Sequence, residues 1–162
     1  MKKVSYIPEG YNAVSPALAF RGTDAAIKWY VNNLGAKEKM RFNAPDGTIV
    51  HAEVTIGGDV VMLAEENSDA KNLEYNRSPK TLKGNSVNLC LYVEDVDAVV
   101  KKATSNGAKL LIPVKDQFYG DRSGRIEDPF GYVWIISTHI KDVSEAEMKK
   151  AMEEMMTHEQ TA

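Results

Sequence analysis

The chain has 162 residues, of which 43% are hydrophobic and 27% charged, and 20 Lys and Arg against 23 Asp and Glu give a net charge of −3 at pH 7. This composition is typical of a globular protein and excludes a largely disordered chain, and the lack of a basic cluster argues against nucleic-acid binding. The single cysteine, Cys90, excludes an intramolecular disulfide and a cysteine-ligated zinc cluster. No apolar run reaches membrane-spanning length, so we expect a cytoplasmic protein that binds neither membranes nor nucleic acid.

The first half of the chain predicts one helix among four strands. An apolar stripe at helical spacing is formed by Ala26, Ile27, Tyr30 and Leu34. Gly35 comes directly after this stripe, where a helix commonly ends on a residue with positive φ. Strands are expected at residues 13–20, 37–43, 49–57 and 59–65.

The second half repeats this pattern at an offset of about seventy residues, which indicates a duplicated module. Asp24 aligns with Asp97 and Lys28 with Lys101, and Gly35-Ala36-Lys37 aligns with residues 107–109. Strands are expected at residues 86–93, 109–114, 123–128 and 132–138. The sequence therefore predicts an α+β fold of two tandem βαβββ modules whose sheet curves into a cup.

A single domain is expected over residues 1–162. Module one occupies about 13–65, a polar connection 66–83, and module two about 86–138. A final helix is predicted at about 144–157, because Ser144 and Glu147 form a capping box and methionines recur on one face of the segment after them. We assign that methionine face to core or dimer packing.

Strand parity separates the predicted core from the predicted cup, because side chains alternate between the two faces of a strand. Val50, Ala52, Val54 and Ile56 form the core face of one strand, which leaves His51 and Glu53 on the cup face. The residues predicted to contact a ligand are Ser15, His51, Glu53, Met62, Asn88, Cys90, Tyr92, Tyr119, Arg122, Arg125, Glu127 and Ile135. His139, at the end of the last strand, is assigned to the surface or to a dimer contact.

Several motifs together resemble the glyoxalase/bleomycin-resistance, or vicinal-oxygen-chelate, superfamily and its PhnB-like branch. They are Ile7-Pro8-Glu9-Gly10-Tyr11, Ala26-Ile27-Lys28-Trp29-Tyr30, Leu34-Gly35-Ala36, His51-Ala52-Glu53, residues 92–98, residues 116–122, Asp128-Pro129-Phe130-Gly131 and Thr138-His139. The resemblance implies that two chains pair, in some members by exchanging modules. The histidine that usually comes after Asp-Pro-Phe-Gly in this branch is replaced by Tyr132.

The resemblance also implies where a metal would be held. Metal-using members take ligands from cup-facing positions in the first and last strands of each module, which correspond here to Ser15, Met62, Asn88 and Ile135. A zinc site generally needs three or four His, Cys or carboxylate ligands. We therefore predict no metal site and no cofactor.

His51 and Glu53 are the candidate catalytic residues, since positions i and i+2 of a strand share a face. The pair has three open interpretations: a structural hydrogen bond, a ligand contact, or proton transfer or metal binding with help from other groups. Arg125 is expected to point into the cup and Arg122 to lie at its rim, where a guanidinium suits a carboxylate or phosphate-like group. The alternative is a solvated hairpin whose charged side chains neutralise one another in ion pairs.

These features support three hypotheses about function. The preferred hypothesis is a homodimer that binds a small organic molecule in the cup without metal. The second is a glyoxalase-like lyase or isomerase, or a dioxygenase-type enzyme, that uses a relocated divalent metal or His51/Glu53 acid–base chemistry. The third is sequestration of an antibiotic.

Overall fold

The computed structural model describes residues 4–67 and 76–159, with side chains up to residue 157. Residues 68–75 of the predicted connection lie outside the described residues. The strands are β1 (Ala17–Phe20), β2 (Lys37–Asn43), β3 (Ile49–Ile56), β4 (Asp59–Glu65), β5 (Asn88–Tyr92), β6 (Lys109–Asp116), β7 (Asp121–Glu127) and β8 (Val133–His139). The helices are α1 (Thr23–Leu34), α2 (Pro79–Leu82), α3 (Val96–Ser105) and α4 (Glu145–Glu159). None of the helices in the described ranges is both long and apolar enough to cross a membrane.

The strands form two four-stranded sheets with the same topology. The first sheet has the order β1-β4-β3-β2 and the second the order β5-β8-β7-β6. In each sheet the first strand pairs in parallel with the last, and the remaining pairs are antiparallel. The prediction of two tandem βαβββ modules and a C-terminal helix is confirmed, and both sheets remain open.

The two module helices begin in different ways. The Asp95 carboxylate caps α3 locally by accepting the Ala98 N–H at 2.9 Å. Gly22 precedes α1 and has no side chain to cap it, so the Glu65 carboxylate, at the end of β4, accepts the N–H groups of Gly22 and Thr23 at 2.7 and 2.8 Å. A negative group at this end also complements the helix dipole. The start of α1 therefore depends on a tertiary contact.

A single hydrophobic core joins the two modules. It packs Phe20, Ile27 and Tyr30 of the first module against side chains of the second, among them Val96, Val100, Ile126, Trp134 and Ile136. The helix-bearing faces of both sheets are thus buried. The opposite face of each sheet, called here its open face, carries most of the predicted site residues.

A buried carboxylate lies inside this core at the turn between β7 and β8. Asp128, 3% exposed, accepts the Tyr30 hydroxyl at 2.7 Å and the Trp134 indole N–H at 3.1 Å on Oδ2. Its Oδ1 accepts the backbone N–H groups of Phe130 and Tyr132, both at 2.9 Å. Burial raises the pKa of Asp128, and these hydrogen bonds act in the opposite direction. Tyr30 belongs to module one, so this carboxylate fixes one module against the other.

Tyr132 makes a second link between the modules. Its hydroxyl accepts the N–H of Ala19 at 3.0 Å and donates to the C=O of the same residue at 2.8 Å. Ala19 lies in β1, an edge strand of the first sheet. Tyr132 therefore satisfies backbone groups that another strand would otherwise pair, which protects this part of the edge.

One parity prediction is wrong at the start of β3. Strict alternation predicts Val50 on the core face, but it is 54% exposed, whereas the neighbouring Ile49 is 5% exposed. The pairing of β2 with β3 is irregular between Phe42 and Asn43, the partners of His51 and Ile49. Such an irregularity breaks the two-residue period on which the prediction rests.

The Asp128 network gives a stability prediction. Asp128→Ala leaves four buried donors without their acceptor, so we expect a loss of about 3 kcal/mol in the free energy of unfolding, measured by urea denaturation. Tyr30→Phe removes one donor and leaves the carboxylate bonded, so it should cost about 1 kcal/mol. Equal losses for the two variants would contradict the central role of the carboxylate.

Candidate functional site

The open face of the first sheet carries a buried carboxylate surrounded by donors. Glu53 is only 5% exposed although its strand neighbours Ala52 and Val54 face the core on the other side. Its Oε2 accepts the Tyr11 hydroxyl at 2.5 Å and lies 3.3 Å from the Lys39 ammonium, and its Oε1 lies 3.1 Å from His51 Nε2. Polar neighbours thus bury Glu53. We call Glu53 and these three neighbours, Tyr11, Lys39 and His51, the Glu53 cluster.

The chain outside β3 supplies two members of this cluster. Tyr11 lies in the segment before β1, where the neighbouring Asn12 side chain donates to Asp59 at the start of β4. Lys39 lies at an irregularity of β2, between the pairs Glu38–Val54 and Met40–Glu53. The Lys39 ammonium also lies 3.6 Å from the centre of the Tyr11 ring, a cation–π contact.

The charges of the cluster are set by these contacts. Burial would raise the pKa of Glu53, but the hydrogen bonds from Tyr11 and His51 and the ammonium of Lys39 outweigh it and lower the pKa below its ordinary value. Contact with Tyr11, and to a smaller extent with Glu53, raises the pKa of Lys39. At neutral pH the cluster therefore holds a carboxylate and an ammonium as a preformed ion pair.

His51 is the member of the cluster that combines exposure with a fixed orientation. Its side chain is 36% exposed, and its ring stacks on Phe42 with the centroids 6.3 Å apart. Nε2 faces Glu53, and among the described residues no hydrogen-bond partner is found for Nδ1. A tautomer that donates Nε2–H to the carboxylate presents Nδ1 as an acceptor to a molecule on the open face.

The open face of the second sheet holds most of the other predicted ligand contacts. Asn88, Cys90 and Tyr92 are exposed on β5, Ile135 is half-buried on β8, and on β7 Arg125 is exposed and Glu127 half-buried. Tyr119, in the turn before β7, lies 3.3 Å from the Ser123 hydroxyl. Tyr92 donates to Asp121 at 2.7 Å, and His139 Nδ1 lies 2.8 Å from the same carboxylate.

Arg122 lies on the other side of β7 from Arg125. Its guanidinium binds Asp97 of α3 at 2.7 Å and Asp116 of β6 at 2.7 Å. Since α3 packs on the core side of the second sheet, Arg122 faces the helix and not the rim of a cup, which corrects its predicted position. Arg41 repeats this arrangement in the first module by binding Asp24 and Glu38.

A cavity of about 400 Å³ lies where the segment before β1 approaches β5. Its lining combines apolar side chains, among them Val14, Pro16, Leu89, Leu91 and Trp134, with polar groups of Asn12, Asp59 and Tyr92. The Glu53 cluster does not line this cavity. Among the described residues no hydrogen bond or ion pair joins the Glu53 cluster to the open face of the second sheet, so one chain presents two separate polar surfaces.

The four positions implied by the resemblance do not suit a divalent metal. Ser15 and Met62 belong to the first sheet and its leading segment, and Asn88 and Ile135 to the second sheet. They offer a hydroxyl, a thioether, an amide and a hydrocarbon, whereas zinc sites use His, Cys and carboxylate ligands. Within the described ranges no group of three or more His, Cys, Asp or Glu residues is arranged to hold a metal.

Comparison with known proteins decides the family. The model of the glyoxalase/bleomycin resistance protein/dioxygenase superfamily matches residues 14–136. The chain belongs to this superfamily. It is 37% identical over 142 residues to an uncharacterized protein of Mycobacterium bovis, covering 86% of this chain and 91% of that protein. An uncharacterized protein of Mycobacterium tuberculosis is similar at the same identity, with 82% of that protein covered.

Solved structures have the same fold. TioX from Micromonospora sp. ML1 matches with a TM-score of 0.60 and 25% identity, over 79% of this chain and 100% of TioX. A PhnB protein from Bacillus cereus matches with a TM-score of 0.59 and 18% identity, over 78% and 99% of the two chains. At the second of these identities the similarity concerns the fold alone, and function must be argued from the site.

Sequence reasoning identifies His51 and Glu53 but misses Tyr11, Lys39 and Asp121. Tyr11 enters the sequence argument only as part of a family motif. Simple alternation along β2 does not place Lys39 beside Glu53, because it takes no account of the irregularity between Glu38 and Met40. In the sequence Asp121 looks like any charged residue of a polar hairpin, and only its burial in the structure marks it as part of a site. The sequence signal that could have found Tyr11 is its position as a tyrosine in the segment before the first module.

The lowered pKa of Glu53 predicts a pH-dependent stability. A carboxylate with a depressed folded-state pKa stabilises the protein above its ordinary pKa of 4.5, and this contribution is lost as pH falls through the lower folded-state value. Glu53→Gln should therefore reduce the free energy of unfolding by about 1 kcal/mol at pH 7 and flatten its fall in acid. Urea denaturation at several pH values checks this.

Glu9→Gln is the matched control, because Glu9 is exposed in the same segment as Tyr11. It should leave both the stability at pH 7 and the acid dependence unchanged. If Glu53→Gln retained the full acid dependence of the wild type, the ion pair in the Glu53 cluster would be refuted.

Proposed function

We propose that this protein binds a small organic molecule on the open faces of its sheets without the divalent metal of its superfamily. The observation that carries the proposal is the Glu53 cluster, which holds an ion pair between the buried Glu53 carboxylate and the partly exposed Lys39 ammonium on the open face of the first sheet. Holding polar groups in place before binding reduces the entropy cost of association. His51 and Lys39 are the members of the cluster whose side chains remain accessible to a ligand.

The exposed side chain of Arg125 supports the inference that the ligand carries an anionic group. It is exposed on the open face of the second sheet, and among the described residues no carboxylate lies within ion-pair distance of its guanidinium. Arg41 and Arg122, by contrast, are each neutralised by two carboxylates. An unneutralised guanidinium fork suits a carboxylate or phosphate-like group.

A homodimer would bring the two open faces together, and we include it in the proposal together with a cytoplasmic location and a place in the PhnB-like branch. Within one chain the Glu53 cluster and Arg125 belong to different sheets. Apolar side chains around the second sheet are exposed, including Val87, Leu110 and Leu111. A second copy that covers them would enclose a ligand between the first sheet of one chain and the second sheet of the other.

The His51–Glu53 pair supports one alternative, an enzyme that uses acid–base chemistry. The specific observation is the 3.1 Å contact between Glu53 and His51 Nε2, which leaves Nδ1 accessible to a substrate proton. In this alternative Glu53 positions the imidazole and His51 accepts the proton. Conversion of the bound molecule, abolished by His51→Gln, would favour the enzyme over a binding protein.

Native mass spectrometry of freshly purified protein tests the main proposal. We expect a dimer at micromolar concentration that carries a small organic adduct and no stoichiometric divalent metal. A strict monomer would contradict the dimer. Stoichiometric zinc, nickel, iron or manganese that disappears in His51→Ala would contradict metal-free binding.

The role of Arg125 gives a separate prediction. Arg125→Gln should reduce occupancy of the adduct at least tenfold, the order expected when a charged hydrogen bond to a ligand is lost. Arg125→Lys should recover only part of it, because an ammonium lacks the planar fork. Lys102→Gln, on the exposed side of α3, is the control and should bind as the wild type does. Full occupancy in Arg125→Gln would exclude Arg125 from the site.

A further inference from the structure

A third buried carboxylate, besides Asp128 and Glu53, lies at the far end of the second sheet. Asp121, at the start of β7, is 5% exposed, although the two groups that bind it are largely accessible. Oδ2 accepts the Tyr92 hydroxyl at 2.7 Å, and Oδ1 lies 2.8 Å from His139 Nδ1. Tyr92 is 61% exposed and the His139 side chain 53% exposed. A buried acceptor thus orients an imidazole and a phenol at the surface.

The same arrangement occurs in the Glu53 cluster, where one carboxylate oxygen binds Tyr11 and the other His51. In that cluster Lys39 is a third partner of the carboxylate. Among the described residues Asp121 has no such cation beside it. His139 is therefore the only group facing Asp121 in this part of the chain that can carry a compensating positive charge.

The outer nitrogen of His139 contacts a carboxylate of the chain itself. Nε2 lies 3.2 Å from Asp142 Oδ1, in the segment between β8 and α4. The Asp142 side chain is fully exposed, so little holds it there beyond this contact. Hydrogen bonds to Asp121 and Asp142 raise the pKa of His139 above its ordinary value. The contact with an exposed carboxylate indicates that Nε2–H can donate a hydrogen bond to a carboxylate group.

We propose that His139, oriented by Asp121, binds the carboxylate of a small organic acid through Nε2–H, and that Asp142 occupies this position in the free protein. The exposed face of Tyr92 contacts the apolar body of the ligand. An aromatic carboxylate such as benzoate has both features. This site is separate from the Glu53 cluster and does not depend on the function proposed for it.

The surrounding charges make the site depend on the protonation of His139. Tyr92 faces it from β5, Asp121 from β7, and Asp142 from the segment before α4, and Glu94 lines the same open surface. Lys141, two residues beyond His139, is tied to Gly120 through its backbone N–H. With three carboxylates nearby, a neutral imidazole would leave an anionic ligand facing net negative charge. Binding should therefore weaken as pH rises through the pKa of His139.

Nuclear magnetic resonance of the histidine side chains, with benzoate as the probe, tests the proposal on the full-length protein. Benzoate should shift the His139 imidazole resonances in a saturable manner at pH 6, and the affinity should fall at least fivefold by pH 8. His139→Gln should abolish the saturable binding. Lys102→Gln removes a positive charge on the exposed side of α3, outside both proposed sites, and is the control that should leave binding unchanged.

Asp142→Asn distinguishes this site from nonspecific attraction of an anion. Because it removes an exposed internal competitor, we expect it to tighten benzoate binding about threefold, in line with the strength of an exposed ion pair. Unchanged or weaker binding in Asp142→Asn, or saturable binding that survives in His139→Gln, would overturn the proposal. Inorganic phosphate at the same ionic strength should bind at least tenfold more weakly, and equal binding would refute the contact with Tyr92.

Discussion

The Asp128 carboxylate fixes the orientation of the two modules, and the positions of both open faces depend on it. It binds Tyr30 of α1 on one oxygen and the backbone of its own turn on the other, with Trp134 as the fourth donor. Because the carboxylate is buried, the Tyr30 hydroxyl would lose its partner if the modules shifted, whereas the other three donors belong to the same module as Asp128. Tyr132 adds a second link by bonding the edge of β1. The duplicated halves therefore form one framework with a shared core.

On this framework each sheet presents a tyrosine, a carboxylate and a histidine in the same chemical arrangement. Glu53 and Asp121 are both nearly inaccessible. In each carboxylate one oxygen contacts a tyrosine hydroxyl and the other a histidine ring nitrogen. The two arrangements differ in charge, since Lys39 neutralises Glu53 and His139 is the group beside Asp121. The chemistry available on the open faces is thus that of ion pairs and hydrogen bonds. The four positions that the resemblance implies for a metal, Ser15, Met62, Asn88 and Ile135, offer a hydroxyl, a thioether, an amide and a hydrocarbon.

The part of the site that could be predicted lies on regular strand. His51 and Glu53 share one face because side chains two positions apart on a strand, here β3, point to the same side of the sheet. Val50 is misplaced by this rule because the pairing of β2 with β3 is irregular at the start of β3. Arg122 follows the rule: it shares its parity with the buried Ile126 and lies on the helix-bearing face, away from the predicted rim. Lys39 is missed at the irregularity in β2. The Asp121–His139 contact requires the register of β7 against β8, in which these two residues are direct partners, and no local pattern reveals that register.

The sequence by itself determined the duplication, the order of strands and helix within each module, the cap at Ser144, and the chemistry of the side chains at the four positions that the resemblance implies for a metal. These features depend on periodicity and on hydrogen bonds between residues a few positions apart. Only the tertiary structure decided that Glu65 caps α1, that Tyr11 covers Glu53 from 42 positions away, and that Tyr132 bonds β1 across 113 positions. Such contacts depend on how the sheets and helices pack, and packing is a property of the whole chain that short sequence patterns do not encode.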